Sequence, residues 1–185
     1  GLNAGGQASI TPSPLAVTSG GSHSISAVYN GDLNYQTTSR TTSQSINKAT
    51  PGGTLISSGT PSTYGQNVTF TLTPTGPGGV AGPTGTVTFS VDGNQRPSQP
   101  LNASGQASFS INTLTASGHN ISANYSGDSN FQSRFQSMSK SVNKETPAVT
   151  GTEAPNHSNA GQAEKPGGDI TTTLGEPIGT GAVSD

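Results

Sequence analysis

Between about residue 50 and residue 146 the chain carries several runs that alternate apolar and polar positions with a period of two. Val68, Phe70 and Leu72 alternate with Thr69, Thr71 and Thr73. Val87, Phe89 and Val91 alternate with Thr88 and Ser90; Ala107, Phe109 and Ile111 alternate with Ser108 and Ser110. Ile121, Ala123 and Tyr125 alternate with Asn120, Ser122 and Asn124. A period of two puts one side of an extended chain on a core and the other in water, so each run predicts a half-buried β-strand. A weaker strand runs through Met138 and Val142, and Leu55 and Ile56 suggest a first one. Thr and Ser on the polar side suit a solvated sheet surface. Turn residues stand between the runs: Gly76-Pro77-Gly78-Gly79, Asp92-Gly93, Ser104-Gly105 and Gly127-Asp128. Helical periodicity appears nowhere. Six or seven short strands in about 95 residues predict an all-β, two-sheet antiparallel sandwich, whose last hairpin joins 118–125 to 132–143.

The pattern is written twice. Residues 2–10 (LNAGGQASI) match residues 101–109 (LNASGQASF) at seven of nine positions. Residues 22–51 match residues 118–147 at fifteen of thirty, at a constant offset of 96. A period of that size is a whole domain rather than a solenoid unit. The chain therefore reads as tandem repeats. Residues 1–49 are the C-terminal half of a truncated repeat, residues 50–147 a complete one, and residues 148–185 a disordered tail or the degenerate start of a third. The inner face of the first copy (Ile10, Ile25, Ala27, Tyr29) has no opposing sheet in the sequence, which predicts instability unless the upstream half is supplied. The start at Gly1 rather than Met is expected of a processed chain or a fragment. Ser158, Gly161 and Gln162 fall 96 residues after Ser62, Gly65 and Gln66, yet AEKPGGD replaces the strand NVTFTLT there.

Composition narrows the function. Hydrophobic residues are 27% of the 185 and charged residues 9%, with a formal net charge of −2, so the polarity is neutral and not the high net charge typical of disorder. Residues 144–185 differ: six acids against two lysines favour a disordered tail. The absence of Cys removes disulfides and thiolate metal sites. No basic cluster offers a nucleic-acid surface, and no apolar run approaches the roughly 20 residues of a membrane span. The core is thin, with Phe70, Phe89, Phe109 and Tyr125 as its inward rings.

The ordered segments Pro61–Phe70 (PSTYGQNVTF), Pro83–Phe89 (PTGTVTF), Gly105–Phe109 (GQASF) and His119–Phe131 (HNISANYSGDSNF) resemble the bacterial immunoglobulin-like repeats of long surface and secreted proteins. The resemblance covers 50–146 fully and 1–49 as a half copy. It implies an extracellular, non-enzymatic module, serving as a spacer or as an adhesion or carbohydrate-contacting surface. Departures are the Gly-rich loop 76–82 and the polar segment 94–99, both on connections.

Several residues invite a chemical reading. The block Tyr29-Asn30-Gly31-Asp32-Leu33-Asn34-Tyr35 recurs as Tyr125–Phe131. Asp32 with Asn34, and Asp128 with Asn130, have the spacing of oxygen ligands to calcium. One carboxylate per copy is little charge for such a site. The competing reading is a turn, in which Gly takes a positive φ, Asp and Asn bond their own backbone, and the following aromatic plugs the sandwich end. His23 and His119 share one repeat position; catalysis would need a nucleophile and an orienting acid beside them, and a strand-start, partly buried His is the simpler reading. Lys48 and Lys144 recur in Asn-Lys-x-Thr-Pro, where a Lys–Asn cross-link competes with a solvated linker residue and an extended joint. Asn67, Asn102, Asn120, Asn124 and Asn156 head sequons, expected to be chance in so Asn-, Ser- and Thr-rich a chain. Thr-lined faces could hydrogen-bond polysaccharide.

The expectation is a structural spacer that carries no catalytic, cofactor-binding or metal residues and needs no cofactor, with neighbouring Ig-like repeats as partners. The alternatives are an adhesion or glycan-binding module using loops 76–82 and 94–99, or an accessory domain of a secreted glycan-degrading enzyme.

Overall fold

β-branched and aromatic residues in alternation, punctuated by Gly and Pro, leave the chain little option but strands. The computed structural model of the chain describes residues 1–18, 21–78, 80–152 and 167–171. Among these there is no helix. An N-terminal hairpin pairs β1 (Ser22–Tyr29) with β2 (Thr38–Ser45). The sandwich follows. One sheet holds β3 (Gly52–Ser57), β5 (Val68–Thr75) and β9 (Ala107–Ile111) in the order β3-β5-β9, antiparallel throughout. The other is built on β6 (Thr86–Val91), β10 (Gly118–Tyr125) and β11 (Arg134–Asn143). The short β4 (Ser62–Thr63) joins its edge parallel to β11. Thus the first strand changes sheets, β3 lying in one and β4 in the other.

The core lies between the sheets. Val68, Phe70, Leu72, Val87, Phe89, Ile121, Ala123, Tyr125 and Phe131 are buried there. Phe109 is only partly buried. Its ring stacks on Phe89 at 6.1 Å, and the Arg96 guanidinium covers it at 5.6 Å. Segment 94–99, expected to be plain connection, contains two short strands. β7 (Asn94–Gln95) and β8 (Gln99–Pro100) both pair with β6, on either side of a break at Pro97, which has no N–H to give a ladder.

The two hairpins that carry the sequence repeat are superimposable in register. Ile25 faces Thr42 in the first and Ile121 faces Met138 in the second, each 96 residues on. Their surroundings differ. Ile121 is fully buried, whereas Ile25 is 37% exposed; among the described residues its hairpin is a sheet of two strands.

Beyond residue 147, two short strands fall where a disordered tail or the degenerate start of a further repeat is expected. The backbone of β12 (Ala148–Thr152) pairs antiparallel with β13 (Gly167–Thr171). The rest of that expectation, including Asn156 and the Ser158, Gly161 and Gln162 matches, lies outside the described residues.

Candidate functional site

The densest polar cluster sits where the β6–β7 hairpin meets the start of β10. Val91 pairs with Asn94, leaving a two-residue loop in which Asp92 (φ 51°) and Gly93 (φ 84°) are both left-handed. That is the Asp-Gly type I′ turn, whose twist matches the flanking strands. It aims the Asp92 carboxylate at β10. Oδ1 accepts from the Asn120 amide at 2.8 Å, and Oδ2 stands 2.6 Å from His119 Nδ1. His119 is buried, not merely partly so, and its Nε2 lies 2.9 Å from the Thr115 carbonyl oxygen. Ser117 Oγ is 3.3 Å from the same nitrogen.

An acid, a histidine and a serine are therefore together, a juxtaposition the sequence did not disclose. The hydrogen bonds assign different work to it. A base acting on Ser117 needs a lone pair on Nε2, whereas the protonated ring donates from Nε2 to the Thr115 carbonyl and from Nδ1 to Asp92. A doubly donating imidazolium is a clamp, not a base. The Asp92 hydrogen bond, with the Thr115 carbonyl behind it, raises the His119 pKa. The same bond, with that from Asn120, lowers the Asp92 pKa. In the N-terminal unit His23 Nε2 likewise lies 2.7 Å from a carbonyl oxygen, that of Ala16.

The repeated Tyr-x-Gly-Asp-x-Asn block is a turn in both copies. Asp128 Oδ1 accepts from the Asn130 and Phe131 amides, each at 2.8 Å. Asp32 Oδ1 accepts from Asn34 and Tyr35 at 2.8 and 2.9 Å. Asp128 Oδ2 accepts from the Thr84 amide and hydroxyl at 2.7 and 2.9 Å. Asp32 Oδ2 accepts from Tyr29 Oη at 2.7 Å, and the equivalent Tyr125 Oη reaches Asp128 Oδ2 at 3.3 Å. Burial pushes the Asp128 pKa up, but the Thr84, Asn130 and Phe131 donors outweigh it and the net shift is downward. Phe131, 2% exposed, closes the sandwich end against Gly76, where an added Cβ would lie 2.7 Å from the ring. Its counterpart Tyr35 is 69% exposed.

Lys48 is exposed, as a linker residue should be, yet its ammonium donates to the Asp128 carbonyl. Lys140 was not foreseen. It occupies an inward position of β11 between Met138 and Val142 and is 1% exposed. Its ammonium donates to the Gly59 carbonyl, and desolvation lowers its pKa. Nothing in the alternation marks Lys140 except its spacing of two from Val142. Beside this strand, the buried Ser62 hydroxyl has no hydrogen-bond partner.

The outer Thr and Ser hydroxyls bond one another: Thr69 with Ser110 at 2.8 Å, Thr71 with Ser108 at 3.0 Å, and Thr88 with Ser98 at 2.7 Å. Asn67, Asn102, Asn120 and Asn124 are exposed. Among the described residues no three His, Asp or Glu side chains gather as a metal site would need, and no helix is long and apolar enough to cross a membrane.

A comparison with curated proteins found no match. A family model, that of the bacterial Ig-like domain (group 3), matches residues 55–143, the span from β3 to the end of β11. The strands from Leu55 of β3 to Asn143 of β11, with the aspartate-anchored closing turn, all lie within that match, and over residues 55–143 the chain is similar to the bacterial Ig-like domain (group 3).

Proposed function

We propose that this chain is a non-enzymatic structural module, a spacer of Ig-like repeats in a bacterial cell-surface or secreted protein. Residues 1–49 are the C-terminal half of one repeat and residues 50–147 a complete one. The observation that carries this reading is the internal use of reactive groups. Asp128 accepts four close hydrogen bonds from its own fold, the His119 imidazole is committed at both nitrogens, and Lys140 is buried on a carbonyl. A side chain so engaged holds the fold together and is not available to a substrate. Three pairs of outer hydroxyls likewise bond each other: Thr69 with Ser110, Thr71 with Ser108 and Thr88 with Ser98.

One observation favours the adhesion alternative. Phe135 is 65% exposed on the outer side of β11, and exposed rings stack well on sugars. A glycan array and antibody labelling of intact source cells test both readings. The spacer reading expects surface labelling and no dose-dependent glycan binding. Binding that disappears in Phe135→Ser, or on replacing loop 76–82, would establish the adhesion module instead.

A further inference from the structure

The N-terminal unit and the sandwich meet at one end of the sandwich, on the repeated turn. Asn130 Oδ1 accepts from the Val17 amide at 2.9 Å, across 113 positions of sequence. The Ala49 amide donates to the Asn130 carbonyl, and the Gln132 amide donates back to the Ala49 carbonyl, each at 2.9 Å. This makes a one-residue parallel bridge between Ala49 and Phe131. Lys48 adds its ammonium to the Asp128 carbonyl. Thr50 Oγ1 reaches Gln132 Oε1 at 3.3 Å. Apolar residues of both units line a common cleft at these bonds: Leu15, Ile46 and Ala49 from the first, Pro77, Val80 and Phe131 from the second.

We infer that this end of the Ig-like sandwich is a docking surface for the C-terminal end of a preceding Ig-like unit, with Asn130 as its key residue. The Asp128 turn presents one side-chain acceptor and two backbone carbonyls outward. The incoming linker supplies a lysine, and the segment before its last hairpin supplies a free amide. Two features make the match more than proximity. Asn130 needs its side chain for nothing inside its own turn, because the Asp128 carboxylate already holds the Asn130 and Phe131 amides. And both halves of the contact are repeated in the sequence: Asp32 and Asn34 stand 96 residues before Asp128 and Asn130, and Asn47-Lys48-Ala49-Thr50-Pro51 returns as Asn143-Lys144-Glu145-Thr146-Pro147. The motif that looked like a calcium loop is, on this inference, the socket of a joint. Several hydrogen bonds spread over residues 17, 48, 49 and 50 fix the direction of one unit relative to the next, where a bare Thr-Pro linker would fix only its extension. Its consequence for an array rests on the spacer reading; the contact itself does not.

Amide hydrogen exchange by NMR on the full chain tests it at the bond itself. The Val17 amide should be protected in the native chain. Its exchange should rise about tenfold in Asn130→Ala, the ratio one ordinary hydrogen bond carries. Asn130→Asp keeps the acceptor and should restore protection. Because the chain has no Cys, spin labels on Ser13→Cys and Ser139→Cys report the geometry without background. The distance distribution should be narrow in the native chain and broad in Asn130→Ala. Phe89 and Ile121 amides, deep in the sandwich, should keep their protection in every variant and so show that it remains folded. An unprotected Val17 amide, protection indifferent to Asn130→Ala, or a native distance distribution as broad as the variant's would overturn the inference. That failure would leave the spacer reading standing, since freely jointed modules still space. A glycan hit in the array experiment would remove the spacer and leave the joint.

Discussion

His119 and Lys140 stand directly opposite each other across the last hairpin, both on its buried face, and each hydrogen-bonds a backbone carbonyl, those of Thr115 and Gly59. They differ in what shifts them. His119 has the Asp92 carboxylate at 2.6 Å, whereas burial acts on Lys140. The protein thus favours the charged form of one base and disfavours that of the other.

Stability should therefore respond to pH in opposite senses at the two sites. The folded His119 pKa is raised, so its contribution is full below the unfolded value of about 6.5 and is lost as pH rises through the folded value. The folded Asp92 pKa is lowered, so its share holds above about 3.9 and is lost as pH falls through the folded value. Asp92→Asn should flatten both slopes and cost about 1 kcal/mol near pH 5.5, a figure discounted because the Asp92 side chain is 45% exposed. Urea denaturation from pH 3 to 9, wild type against variant, measures it; parallel curves would refute the clamp.

Lys140→Met should stabilise the domain by about 1 kcal/mol at pH 7, because an apolar chain of similar length replaces a desolvated ammonium. The lowered folded pKa means the native chain's penalty fades as pH climbs from that value to about 10.4, so the variant's advantage should shrink in alkali. Tyr125, pushed by burial up to about 12, acts oppositely: its contribution is lost above about pH 10 in both proteins. Thermal melts at pH 7 and 9.5 would show it.

Asp128→Ala removes the acceptor for the Thr84, Asn130 and Phe131 amides at once and should cost about 2–4 kcal/mol. Asp32→Ala removes a turn with the same local bonds but no tie to a second strand, and should leave the main unfolding transition unchanged. Denaturant midpoints of the two variants make the comparison; equal losses would mean the turn stabilises the sandwich through something other than Thr84.

Gly127→Ala should be far worse than Gly105→Ala. Both glycines are left-handed, at φ 76° and 71°, which costs an alanine about 1 kcal/mol at either site. At Gly127 the added Cβ also meets the Phe131 carbonyl and the Ser133 amide at 2.8 Å, whereas at Gly105 it meets open space. We expect a loss of more than about 3 kcal/mol for the first and about 1 kcal/mol for the second, read as midpoint shifts in urea.

Ile121→Ala should cost about 2–5 kcal/mol. Ile25→Ala, at the same place in the first hairpin, should cost less than about 0.5 kcal/mol, because its side chain is already 37% exposed. Calorimetry of the two variants separates them; a comparable loss at Ile25 would mean that its face is covered in solution.

The sequence by itself determined whatever depends on near neighbours. Alternation placed the long strands, and Asp92-Gly93 placed a hairpin turn. Asn3 and Asn102 each fold the four residues that follow, taking amides two and four positions on, and Asp32 and Asp128 act alike with amides two and three on. Such bonds close within one turn of chain, so equal sequences give equal structures whatever surrounds them. The tertiary structure alone decided which of the two copies has a core. Ile25 and Ile121, or Tyr35 and Phe131, share a position, a register and a local turn, yet only the second of each pair is buried. Burial needs an opposing sheet, and no residue carries that in its own identity. For the same reason Asp92 beside His119, Lys140 beneath Gly59 and Asn130 against Val17 were invisible in the chain: the partners lie 27, 81 and 113 positions apart and meet only once the sheets have packed.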